Sequence, residues 1–153
     1  MKWLALISWI LTAGVGFVML TIWLRRGGIR QRLSGPYIRP LLILSHFGLA
    51  ALGLLTWIVY LITDNDGLKW PAFVILVVVA VLGWTMFAFW YQRRRISTAT
   101  APSGPGALRA SGDEAGTAAE QHFPIAVVTL HGVLAVLTVL LVLLTALGVG
   151  PGT

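Results

Sequence analysis

The sequence predicts an all-α polytopic membrane protein, a single domain of four transmembrane helices in an up-down-up-down bundle made from a duplicated two-helix hairpin. Three observations carry that prediction. Of 153 residues, 58% are hydrophobic and only 10% are charged, whereas a soluble domain carries about 25% charged residues. So little charge cannot cover a water-facing surface, and the soluble globular, disordered and fibrous classes fall away together. Four stretches reach the roughly 20 apolar residues that a helix needs to cross a hydrocarbon core of about 30 Å, and those stretches match one another in pairs. Cysteine is absent, which removes disulfides, thiolate metal sites and cysteine nucleophiles.

The first span, residues 3–24, holds no ionisable side chain. It is too long for the apolar region of a signal peptide and lacks a small-x-small cleavage site, so it reads as a retained helix. Arg25, Arg26, Arg30, Arg32 and Arg39 follow without an acid. The second span, 41–62, contains one ionisable residue, His46; the connection after it carries Asp64, Asp66 and Lys69. The third, 72–91, contains none and leads into Arg93, Arg94 and Arg95. Residues 96–121, rich in Ala, Ser, Thr, Gly and Pro and including Pro102-Ser103-Gly104-Pro105-Gly106, read as a flexible cytoplasmic loop with Asp113, Glu114 and Glu120 as solubilising charges. The fourth span, 125–149, again holds one ionisable residue, His131. Period-2 polar alternation is missing throughout, so a β-barrel is excluded.

Nine of the eleven basic residues sit on the first and third connections. Basic connections stay cytoplasmic, so a multi-pass protein of the cell (inner) membrane with both termini outside is expected. The net charge of +6 therefore reports topology and contact with anionic lipid. Nucleic-acid binding gains nothing from it, because the aromatics lie in the spans and not among the arginines. Trp3, Trp23, Trp57, Trp70 and Trp90 lie near span ends, as an interfacial aromatic belt requires.

Shifting the first span by 67 positions onto the third pairs Ala13 with Ala80, Gly16 with Gly83, Met19 with Met86, Trp23 with Trp90 and Arg26 with Arg93. Shifting the second by 85 onto the fourth pairs His46 with His131. The two hairpins run in parallel, which puts helices two and four diagonally across the core.

Ionisable residues inside a span are rare and face the bundle interior or a wet cavity. His46 and His131 should lie on the order of 10 Å inside the cytoplasmic face, level with Met19 and Met86. Helical spacing puts Ala50, Gly53, Trp57 and Tyr60 on the stripe of His46, and Ala135, Thr138, Val142 and Thr145 on that of His131. Gly16, Gly83, Gly48 and Gly132 would leave room for a ligand. Three readings follow. Two neutral imidazoles complete the coordination of a haem b. Two histidines with Met19 and Met86 suit Cu(I). Alternatively, each histidine is a hydrogen bond between helices, as expected of a structural or assembly subunit. No Asp, Glu or Cys lies within a span, which argues against zinc, non-haem iron and a carboxylate proton relay. A self-contained enzyme is not expected. His122, just before Phe123-Pro124, reads as an interfacial residue, with Pro124 opening the helix.

In its four-span layout with His46 and His131, the chain resembles the four-helix membrane b-type cytochromes, which hold haem between histidines on facing helices. The resemblance covers the bundle and leaves out 96–121. Such proteins often carry two haems on four histidines, whereas this chain offers one pair. It implies a one-haem electron carrier or redox sensor, working with a redox partner or as a subunit of a larger assembly. A weaker resemblance, to multi-span copper-resistance membrane proteins with histidines near helix ends, goes with the copper reading.

Overall fold

The computed structural model describes residues 1–30, 38–99 and 119–150, with side chains of the third helix described as far as residue 95. Among the described residues there is no strand. Four helices form the body: α1 (Lys2–Arg25), α2 (Pro40–Thr63), α3 (Lys69–Ala99) and α4 (Ile125–Ala146). All four are long and apolar enough to cross a membrane. Short 3-10 turns, Gly28–Arg30, Asp66–Leu68 and Ala119–His122, occupy the connections.

Local chemistry sets the helix ends. Gly27 leaves α1 at φ +76°, where a Cβ would be strained. Pro40 opens α2 at a first-turn position, where its missing N–H costs nothing. α2 ends on Asp64 in the left-handed region, φ 47°, which a short polar side chain tolerates; Asn65 Oδ1 then accepts the Gly67 N–H at 3.0 Å. α3 outruns its apolar stretch by two turns. No Gly or Pro occurs between Gly83 and Pro102, and arginine is a good helix former.

The two halves of the repeat do not fold as separate hairpins. α1 packs most closely on α4 and α2 on α3, while the α3–α4 and α1–α2 contacts are looser. Each hairpin thus lends one helix to each tight pair. At the end marked by the Lys2–Asp64 ion pair, both pairs close on a core of Ala5, Trp9, Trp57, Tyr60, Leu61, Ala72, Leu76 and Val142. Trp57 stands 6.4 Å from Trp9 and 5.0 Å from Tyr60, ring centre to ring centre, and such aromatic pairs add about 0.5–1.5 kcal/mol each beyond burial. Gly53 admits Trp9, since a Cβ there would stand 3.0 Å from Trp9 Cζ2.

Two expectations change. Trp23, Trp57 and Trp90 are buried at 0%, 0% and 5% exposure, so they belong to the interior; Trp3 and Trp70 remain on the surface. Glu120 is not a solubilising charge. It is fully buried, with Oε1 accepting the Ile38 N–H at 3.1 Å. Its neighbours in the 3-10 turn pack against α1 and α3, and that contact draws the side chain in. Residues 96–99 continue α3 and 119–122 form the turn, while Asp113, Glu114 and the rest of 100–118 lie outside the described residues.

Candidate functional site

His46 and His131 come together. Their ring centres are 6.4 Å apart with planes at 60°. Each is held in the same way by the helix against which its own helix packs most closely. His131 Nδ1 donates to the carbonyl of Thr12 on α1 at 3.0 Å, and His46 Nδ1 donates to the carbonyl of Val79 on α3 at 3.0 Å. Thr12 and Val79 are equivalent positions at the 67-residue shift, so the repeat extends to the bonds that orient the imidazoles. A carbonyl can only accept, so Nδ1 carries the proton and Nε2 of the neutral ring keeps its lone pair. That tautomer, with the ring fixed through Nδ1, is the form in which histidine ligates metals through Nε2.

Gly16 and Gly83 are what admit the rings. A Cβ at Gly16 would stand 2.9 Å from His131 Cε1, and one at Gly83 would stand 3.2 Å from His46 Cε1. The histidines therefore pack directly on the glycines; Met19 and Met86 are half-buried, about one turn further along α1 and α3. Gly48 and Gly132 do not join the site. Both are exposed, with nothing within 4 Å of an added Cβ: Gly48, two residues beyond His46, is more than halfway round its helix, and Gly132, one residue beyond His131, is turned about 100° away from it. His122 is exposed. The stripes beyond the histidines do face inward: Gly53, Trp57, Tyr60, Thr138, Val142 and Thr145 are all buried.

Burial along the helices isolates the histidine layer. On α1 no side chain is fully buried between Thr12 and Trp23, and on α3 none between Val79 and Trp90. The same holds for 40–52 on α2 and for 125–137 on α4. Fully buried side chains thus form two layers separated by about 15 Å of helix, and His46, His131, Gly16 and Gly83 occupy the accessible layer between them.

A hydroxyl cluster borders this layer. Thr138 Oγ1 lies 2.8 Å from Ser8 Oγ and 3.0 Å from Thr12 Oγ1. Thr12 and Thr138 also donate to the carbonyls of Ser8 and Leu134. Ser8 and Thr12 were missed as site residues, although their spacing marks them: Ser8, Thr12 and Gly16 recur every four residues on one face of α1. The equivalent positions on α3, Ile75 and Val79, are apolar, so the α1–α4 side of the site is the polar one.

The two ring centres, 6.4 Å apart, are close enough for both imidazoles to reach one metal ion at ordinary bond lengths of about 2 Å. Among the described residues no group of three or more His, Cys, Asp or Glu could hold a metal ion. A site here would need the remaining ligands from elsewhere, as a porphyrin provides. Comparison with protein-family models, curated proteins and solved structures found no match to this chain.

Proposed function

We propose that the protein is a four-span membrane protein, both termini on the non-cytoplasmic side of the cell membrane, that holds one haem b between His46 and His131. It serves electron transfer or redox sensing, as a subunit of a larger assembly or with a redox partner. The observation that carries this reading is the matched imidazole pair, ring centres 6.4 Å apart in a layer with no fully buried side chain, each ring bonded through Nδ1 so that Nε2 is left as the free lone pair. When bound, the haem supplies a one-electron iron couple whose potential follows the axial ligands and the burial of the site. The chain's own part is to orient the two rings through the Thr12 and Val79 carbonyls and to admit them against α1 and α3 at Gly16 and Gly83.

Membrane placement rests on the spans and on charge. Buried residues make up only 11–22% of the span windows, so most of a strongly apolar surface faces outward, and only lipid or other subunits could cover it. The basic connections favour the cytoplasmic side. Beside them Leu24, Arg25, Gly27, Ile29 and Arg30 line a recess of about 470 Å³, a combination of guanidinium and apolar surface that suits an anionic lipid headgroup.

Copper is the second reading, favoured by half-buried Met19 and Met86 in the same accessible layer, since thioethers suit Cu(I). Purified protein separates the readings. A Soret band lost on His46→Ala or His131→Ala supports haem. Colourless protein with stoichiometric copper supports the second reading. Colourless, metal-free protein contradicts both and leaves a structural subunit.

A further inference from the structure

We propose that the indole N–H groups of Trp23 and Trp90 bind the two carboxylates of the macrocycle held by the histidines; this rests on the haem reading above. Buried N–H groups are nearly always paired, yet Trp23 Nε1 and Trp90 Nε1 are buried without a partner among the described residues. The other two such atoms, Gln121 Nε2 and Glu120 Oε2, sit on the 3-10 turn that packs against α1 and α3. All four therefore gather at the arginine-rich end of the accessible layer, and three of them are donors. That end asks for acceptors.

The two indoles are equivalent at the 67-residue shift, as are the glycines beneath the histidines. Trp23 lies seven residues beyond Gly16, and Trp90 seven beyond Gly83. Seven residues are about two turns, or roughly 10 Å, and return to nearly the same face. Each of α1 and α3, the equivalent helices of the repeat, thus carries along one line a glycine against an imidazole and then a tryptophan with an unpartnered N–H. A ligand spanning that line needs a metal at one level and two acceptors at the next. A haem has this layout, with both acid groups on one edge. Trp90 also lies under Arg94, whose guanidinium is 5.1 Å from its ring centre, so positive charge stands behind that donor.

The test uses the full chain in detergent, loaded with haemin and separately with haemin dimethyl ester, which keeps the iron and the ring but loses both negative charges. The readout is pigment loss to excess apomyoglobin. Wild type should release haemin more slowly than the ester. Trp23→Phe and Trp90→Phe should each speed haemin loss about tenfold, the effect of one charge-assisted hydrogen bond, and leave ester loss unchanged. An unchanged Soret band with the ester shows that the variant is folded and the histidines still ligate. Haemin loss at the wild-type rate in both variants overturns the proposal, as does equal acceleration with both pigments, which would make the indoles packing groups only. A wild-type chain that takes up neither pigment overturns the haem reading itself and this inference with it.

Discussion

Gly16→Ala tests the site through a single methyl group. Its Cβ would stand 2.9 Å from His131 Cε1 and 3.4 Å from Nδ1, so the imidazole must retreat by about half an ångström to reach ordinary contact. The retreat works against the 3.0 Å bond from Nδ1 to the Thr12 carbonyl, whose loss costs about 0.5–1.5 kcal/mol. Overpacking adds about 1–3 kcal/mol. A disturbed orienting bond on a metal-bound histidine typically weakens metal affinity 10–100-fold, and that range is expected for haem. Gly83→Ala provides the internal control. Its Cβ would stand 3.2 Å from His46 Cε1, a contact that a few tenths of an ångström relieve, so its effect should stay below about tenfold. Haem titration of purified protein, followed at the Soret band, reads both variants. Wild-type binding by Gly16→Ala, or a greater loss in Gly83→Ala than in Gly16→Ala, would rule out a haem site built on these two contacts.

Three further predictions concern the frame around the site. Thr138→Val keeps the shape but removes the hydroxyl shared by Ser8 and Thr12; it should cost about 0.5–1.5 kcal/mol in detergent unfolding. Glu120→Gln keeps an acceptor for the Ile38 N–H and should unfold near wild type, whereas Glu120→Ala strands that N–H and should lose about 1–3 kcal/mol. The absence of cysteine makes single-cysteine labelling clean. In intact cells, Asp66→Cys should react with an impermeant maleimide and Ser103→Cys only after permeabilisation; the reverse pattern would invert the orientation drawn from the arginines.

Much of this organisation can be read from residue order alone. Hydropathy marks four spans because a helix in lipid must be apolar for its whole length, and the repeat marks Gly16, Gly83, His46 and His131 as equivalent pairs. Periodicity tells which face a residue occupies but not which helix meets it. For that reason the close α1–α4 and α2–α3 pairings, and the partners of the histidines, emerge only in three dimensions. Gly48 and Gly132 show the opposite error: nearness in sequence suggested a shared cavity, while the helical turn carries them to the outer surface. Glu120 sits in a stretch whose composition reads as solvated, yet one backbone N–H and the surfaces of α1 and α3 suffice to bury it. Composition averages over a segment and cannot see a single contact. Trp23 and Trp90 were legible as repeat partners but not as buried donors, because a tryptophan near a span end fits an interfacial belt equally well.

Whether one macrocyclic metal cofactor is shared by His46 and His131 is decided by counting haem per chain and recording the ferric EPR spectrum of protein purified from haem-replete membranes. One haem b per chain is expected, with the low-spin signal of bis-imidazole ligation, converted to high spin or lost in His46→Ala and in His131→Ala alike. Protein without haem, or haem whose low-spin signal survives either substitution, would contradict a shared site.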